Sequence, residues 1–332
     1  MNGDALKFFI YYFNGLAVVG FSAIRLASKT QETRKLWMIK FSDTDILKLD
    51  ERFAHEGIPF HARPFRAAME ILGDQFSIGS GGNAQVHEIE RAYTRLIPEV
   101  GFTWPGMGTG LAASVDRVKK VTIGVVFGSV NISVDQGLGF SNHQEWAAWC
   151  RHDPNIANRS AFAFADMHDL VYGIDRNVQP GNASTFWGLA TEQLKLVAES
   201  LSQSGSVSSP VLQPICLTTE LALKGTLLHL GITEKELRHP KLFGHDLVKL
   251  GQRVTQECSH RDDPLLLNAL GRFPDYVGDR YRETPLTRLE VIALALDAQF
   301  VSASAVRRIS GEDVALQMET SGPGPRLSLI HI

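Results

Sequence analysis

The sequence is poor in cysteine and carries no strong excess of charge. Its 332 residues include three cysteines, Cys150, Cys216 and Cys258, which are odd in number and widely spaced. That pattern argues against a disulfide framework and against a zinc site. The formal net charge of -3 gives no global basic field, so binding of nucleic acid would need a local patch. We therefore expect a globular protein of a reducing compartment, the cytoplasm, with neither a metal nor another cofactor.

The two ends of the chain differ in composition from the rest. Residues 8–24 (FFIYYFNGLAVVGFSAI) form an uncharged apolar run at the lower length limit of a membrane-spanning helix. We treat residues 1–37 as a doubtful leader: sequence translated upstream of a start at Met38, a single-pass membrane anchor, or a signal peptide. A membrane is a partner only if residues 8–24 are genuinely translated. Residues 309–332 are expected to be a disordered tail, and its last residues, RLSLIHI, read as artefactual.

Residues 38–178 have the pattern of a mostly helical α+β domain whose role the sequence does not indicate. Apolar residues recur at helical spacing in three early segments and again in residues 161–172. Val121, Ile123 and Val125 alternate as in a strand, and a second strand from Asn131 would complete a short hairpin. The glycine-rich residues 101–110 are interpreted as a loop rather than a phosphate cradle, because no clear strand precedes them.

Residues 184–308 predict a four-helix bundle, so the protein as a whole is expected to be mainly α. The first two expected helices cover about 185–203 and 214–231. The third is expected to begin at Asp246, and the fourth to be capped by Thr284 with Pro285 at its first position. Polar loops separate these amphipathic segments, and a helical bundle is the simplest way to bury their apolar stripes together.

Three short segments of this part carry a resemblance to a known family. They are TTELALKGTLLHLGI (218–232), GHDLVKL (244–250) and FPDYVGDRY (273–281). In order and spacing they resemble the signature segments of the HEPN domain family. The resemblance covers the bundle and implies an up-and-down helical fold that is often a homodimer, found in nucleotide- or RNA-associated proteins of stress and defence systems.

The resemblance and the chemistry of the side chains together give a candidate binding site. Arginine suits phosphate and tyrosine can stack on a base. The alternatives are structural: a buried acid–base pair that fixes helix register, and an arginine that locks its own loop. The nucleotide- or RNA-binding candidates are Glu220, Lys224, Asp246, Tyr276, Arg280 and Tyr281.

Catalysis is a second hypothesis, implied by the ribonuclease members of the family. Arg238 or Arg280 would hold a phosphate and His245 would act as general acid or base, without a metal. The alternative is that His245 and Asp246 only begin a helix. The leading hypothesis is thus a nucleotide- or RNA-associated binding protein. A metal-independent endoribonuclease and a structural homodimerisation module without ligand remain as alternatives.

Overall fold

The computed structural model describes most of the chain. The described residues are 7–8, 40–76, 84–100, 106–125, 130–177, 181–203, 211–275 and 286–326. They divide into two compact units, one within residues 15–105 and one that combines residues 1–14 with residues 106–332. Helices dominate both units, which confirms the mainly α class.

The smaller unit contains three helices, α1 (Asp43–His55), α2 (Arg63–Leu72) and α3 (Ala84–Leu96). Ser42 caps α1: its hydroxyl accepts from the Asp45 backbone N–H at 3.2 Å, and the Asp45 carboxylate accepts from the Ser42 N–H at 2.9 Å. The core of this unit is aromatic and aliphatic. Its fully buried members include Ile46, Phe53, Ala67, Ala68, Ile89 and Tyr93.

The larger unit combines short strands with the remaining helices. The strands are β1 (Lys7–Phe8), β2 (Gly108–Ser114), β3 (Arg117–Ile123) and β4 (Val130–Asn131). The helices are α4 (Val134–Gly137), α5 (His143–Trp149), α6 (Pro154–Arg176), α7 (Asn182–Gln203), α8 (Leu212–His229), α9 (Glu234–Arg238), α10 (Leu247–Glu257), α11 (Asp263–Leu270), α12 (Arg288–Ser310) and α13 (Val314–Ser321).

The hairpin differs from the expected one. Strand β3 pairs antiparallel with β2, which precedes it, while β4 pairs with β1. The last three residues of the glycine-rich segment that we interpreted as a loop, 108–110, therefore form the start of strand β2. Its glycines allow close approach to α6, because a Cβ at Gly108 would lie 2.5 Å from the Val171 side chain and one at Gly110 would lie 2.2 Å from Met167 Sδ.

The predicted bundle helices are all present in the described residues, as α7, α8, α10 and α12. Helix α12 packs on α6 and α8, α7 packs on α8, and α10 and α11 pack beside α8 and α12. Helix α6 was expected in the preceding domain, yet it belongs to the same compact unit, which begins at Gly106. Thr287 caps α12, whereas Thr284 and Pro285 lie outside the described residues. The up-and-down four-helix arrangement stays a prediction.

Helix α12 is the central element of the larger unit. It is long and apolar enough to cross a membrane by length and composition, but 83% of its apolar stretch is buried inside the fold. Buried core helices have the same composition. The apolar run at residues 8–24 lies outside the described residues except for Phe8.

The side chain of Gln299 on α12 forms hydrogen bonds with the backbone of strand β2, as a neighbouring strand would. Its Oε1 accepts from the Leu111 backbone N–H at 2.8 Å, and its Nε2 donates to the Leu111 carbonyl at 3.1 Å and the Ala163 carbonyl at 2.9 Å. Each of these groups is buried, and an unpaired buried backbone group is costly. The amide therefore joins α12, α6 and β2.

Arg307, near the end of α12, is fully buried among carboxylates. Its Nε donates to Asp169 at 2.8 Å, Nη1 to Asp262 at 2.6 Å and Nη2 to Asp166 at 2.8 Å. The guanidinium thus links α12 to α6 and to the residue that precedes α11. Burial opposes ionisation of Asp169, but the Arg307 charge, His168 and the hydrogen bond from the Val314 N–H together outweigh it, so the pKa of Asp169 lies below its usual value.

The same network orders residues beyond α12. The Asp169 carboxylate accepts from the backbone N–H groups of Val314 at 2.8 Å and Ala315 at 3.2 Å, so it stabilises the first turn of α13. Val314, Ala315 and Met318 are buried. The structure therefore differs from the expected disordered tail at residues 314–321, because α13 packs against α6.

We predict that Arg307→Met lowers the free energy of unfolding by about 3–5 kcal/mol, because it leaves buried carboxylates without their cation. The matched change Arg151→Met, at an exposed arginine of the same unit, should cost less than about 0.5 kcal/mol. Urea unfolding monitored by circular dichroism measures both. Equal losses in the two variants would contradict this account of Arg307.

The pH dependence of the same variants gives a further part of this test. The folded-state pKa values of Asp169 and Asp262 are lowered, so their contribution is present above the unfolded pKa and is lost as the pH falls through the folded values. Acid should therefore destabilise the wild type below about pH 4 more steeply than Arg307→Met.

Candidate functional site

Two of the candidate residues face each other along α8. Glu220 and Lys224 are separated by one helical turn, and Lys224 Nζ lies 2.6 Å from Glu220 Oε1. Both side chains are largely buried, with 4% of Glu220 and 9% of Lys224 exposed. Helix α8 is apolar on most of its other positions, so this pair is the main polar feature of a buried helix.

His245 reaches the same carboxylate from a different segment. Its Nδ1 lies 3.0 Å from each oxygen of Glu220, while 59% of its side chain is exposed. The turn before it depends on Gly244, whose φ of +52° is unfavourable for other residues. Glu220 is therefore a buried acceptor between an ammonium group and a solvent-accessible imidazole.

Asp246 fixes the start of the next helix. Its carboxylate accepts from the Lys249 backbone N–H at 3.0 Å and so caps α10, as the sequence predicts. Burial acts against ionisation, but the hydrogen bonds from Lys249 outweigh it and lower the pKa of Asp246. The cap holds the backbone next to His245, which sets the direction from which the imidazole approaches Glu220.

A cysteine lies one turn before Glu220 on the same helix. Burial, aided by the charge of Glu220, raises the pKa of Cys216 to about 12. The thiol is therefore protonated near neutral pH and is not a reactive nucleophile.

We name Glu220, Lys224 and His245 together the α8–His245 cluster.

Arg238 lies on a surface helix and pairs with Glu234 of its own turn, with 76% of its side chain exposed. Among the described residues no hydrogen bond or ion pair joins Arg238 to His245. The structure thus brings His245, Glu220 and Lys224 together and places Arg238 in a separate pair. Tyr276, Arg280 and Tyr281 lie outside the described residues.

Asp297 of α12 is a buried acid that the sequence reasoning did not single out. Arg272 Nε donates to its Oδ2 at 2.8 Å, and Arg272 Nη1 donates to Asn268 at 2.6 Å. Burial raises the pKa of Asp297 to about 6, although the hydrogen bond from Arg272 acts in the opposite direction. The signal in the sequence is an acidic residue inside an otherwise apolar helical stripe.

Two other histidines of the larger unit pack against aromatic rings. His168 stacks on Tyr172 at 4.5 Å and its Nδ1 lies 3.4 Å from Asp169, while His143 contacts Trp146 edge to face. Within the part of the chain that the structure describes, no group of three or more His, Cys, Asp or Glu side chains is placed to hold a metal ion.

Comparison with known proteins adds no relative: neither models of protein families, nor curated proteins, nor solved structures match the chain.

We predict that the Glu220–Lys224 pair is energetically coupled by about 1.5–3 kcal/mol, because both charges are buried and hydrogen-bonded. A double-mutant cycle with Glu220→Gln and Lys224→Met, followed by urea unfolding, measures this coupling. The Glu234–Arg238 pair has the same helical spacing and order of charge but is exposed, so its cycle should give about 0.3–0.5 kcal/mol. Indistinguishable couplings would contradict the distinction between the two pairs.

Proposed function

We propose that the protein is a HEPN-like, nucleotide- or RNA-associated binding protein whose ligand site is built on the α8–His245 cluster. The observation that most supports this proposal is the contact between two of the signature segments, 218–232 and 244–250. Glu220 and His245 are 25 positions apart, yet His245 Nδ1 lies within hydrogen-bond distance of both Glu220 oxygens. Residues that serve helix packing alone have no need for a half-exposed imidazole over a buried carboxylate.

The charge of the cluster limits how it can bind. Lys224 is compensated by Glu220, so the cluster offers hydrogen bonds and a positioned imidazole rather than a strong excess of positive charge. In this proposal Arg280 supplies the phosphate contact, and Tyr276 and Tyr281 stack on the base.

The proposal extends to assembly and compartment. A homodimer would form through the helical bundle, and Leu189 and Leu196 of α7, 48% and 50% exposed, are apolar side chains suited to that contact. The three cysteines carry no disulfide, in keeping with a reducing compartment such as the cytoplasm.

Binding should depend on His245. We expect that His245→Ala weakens the binding of a short labelled RNA, or of ATP or GTP, at least tenfold, as measured by fluorescence anisotropy and by thermal shift. The matched control is His87→Ala, since His87 Nδ1 lies 3.0 Å from Glu90 and its side chain is 63% exposed. It should leave the dissociation constant unchanged.

Two outcomes of this experiment would overturn the proposal. One is that the wild-type protein binds none of these ligands. The other is that His245→Ala and His87→Ala lose affinity equally. Circular dichroism of each variant separates loss of binding from loss of fold.

A metal-independent endoribonuclease is the second candidate, favoured by the contact between His245 and Glu220. A carboxylate that holds an imidazole through one ring nitrogen fixes its tautomer and orientation, as a general base requires. Because Arg238 is paired with Glu234, the phosphate contact in this candidate falls to Arg280.

If His245 is a general base, Glu220→Gln and His245→Ala should each lower the rate of RNA cleavage at least a hundredfold. A gel assay without divalent metal measures the rate, and Glu234→Gln serves as the control carboxylate. Cleavage that is equal in all variants, or absent from the wild type, would exclude this candidate and leave the binding function.

A further inference from the structure

The segment after α13 places a second arginine against the buried carboxylates. Arg326 Nη1 lies 2.7 Å from Asp166 Oδ2, and Nη2 lies 2.6 Å from Asp166 Oδ1. The planar fork of the guanidinium thus binds both oxygens of one carboxylate. Although it follows a short irregular segment, only 7% of the Arg326 side chain is exposed.

Two aromatic rings complete the surroundings of this guanidinium. Arg326 Cζ lies 4.5 Å from the centroid of the Phe162 ring and 4.7 Å from that of Phe300. These rings come from α6 and α12, and both are buried. A carboxylate with two ring faces suits a flat, weakly hydrated cation better than it suits an ammonium group.

The charge balance of the site favours a second cation beside Asp166. Asp166, Asp169 and Asp262 all bind Arg307, and His168 and His260 also lie 3.4 Å from Asp169 and Asp262, so among the described residues Asp166 shares Arg307 without another cationic partner when Arg326 is absent. Buried carboxylates are costly unless they are compensated. Asp313 at the edge is paired with Arg261 and therefore does not change this balance.

Arg326 itself is held by few contacts of its own segment. The Pro325 carbonyl accepts from Asn158 Nδ2 at 3.1 Å, while Gly322, Pro323 and Pro325 are exposed. Within the described part of the chain, the Arg326 Nε atom is buried without a hydrogen-bond partner. The pocket thus binds the two terminal nitrogens of a guanidinium closely but leaves the Nε–H of Arg326 without a hydrogen bond. A guanidinium ligand that pairs all of its N–H groups would therefore fit the pocket better than Arg326 does.

We propose that Asp166, Phe162 and Phe300 form a guanidinium-binding pocket that Arg326 fills from within the chain. When Arg326 leaves, the pocket accepts the guanidinium of another molecule, either the arginine of a peptide or a small guanidinium compound. Arg326 is the first residue of RLSLIHI, the end of the chain that we interpret as artefactual, whereas Asp166, Phe162 and Phe300 lie on α6 and α12. The pocket is therefore a property of these two helices, and in the full chain Arg326 acts as a competitor that closes it to weak ligands.

The full-length variant Arg326→Ala tests this directly by isothermal titration calorimetry. We expect it to bind N-acetyl-arginine amide and the peptide SGPGPR at least tenfold more tightly than the wild type does. The lysine counterparts of both ligands should bind at least tenfold more weakly. Tighter binding of the peptide identifies an arginine-bearing peptide as the ligand, and equal binding identifies a small guanidinium compound.

A matched pair of second changes shows whether the ligand occupies this pocket. In the Arg326→Ala background, Phe162→Leu should weaken binding at least tenfold, whereas Phe140→Leu should not change it. Phe140 is the control because it is also a buried aromatic residue with a cation, Lys119, 4.5 Å from its ring.

The variant Arg326→Lys keeps a cation in place and guards against loss of fold in Arg326→Ala. It should bind N-acetyl-arginine amide more weakly than Arg326→Ala but more tightly than the wild type. The proposal is overturned if neither variant binds the arginine ligands, or if Phe162→Leu and Phe140→Leu have the same effect.

Discussion

The fully buried guanidinium of Arg307 is the interaction on which the larger unit most depends. Each of its three nitrogens donates to a different carboxylate, two from α6 and one from the residue before α11. Such a group is stable inside a protein only when every partner is in place. Arg307 therefore fixes α12 against α6 and α11 at one end, and through Asp169 it also orders the start of α13.

The other polar residues of α12 extend this arrangement along the helix. Gln299 binds the backbone of β2, and Asp297 binds Arg272 beyond α11. Each of them is nearly inaccessible and makes contact with a different neighbour. Because α8 packs on α12, the positions of Glu220 and Lys224 follow from the same helix. The α8–His245 cluster is thus presented by a rigid core, which is what a binding site needs.

What could be predicted from sequence depended on how local the signal was. Helix periodicity, the Asp246 cap, and the spacing of Glu220 and Lys224 are properties of neighbouring residues, and the structure has them as expected. Strand β2 was missed because glycines that admit α6 look the same in a sequence as glycines of a loop. The partners of Arg307, which are Asp169, Asp262 and Asp166, are separated from it in sequence by 138, 45 and 141 positions. No local pattern therefore encodes these contacts. The sequence indicates such contacts only by the polar residues that stand within the apolar helix α12.

The functional account depends on the half-exposed imidazole that Glu220 holds. Selective isotope labelling of histidine, followed by NMR titration with a short RNA or with GTP, tests it most directly. The account predicts that the ring resonances of His245 shift with the occupancy of the ligand, while those of exposed His87 in the smaller unit stay in place. A ligand that binds but leaves the His245 resonances unchanged would contradict it.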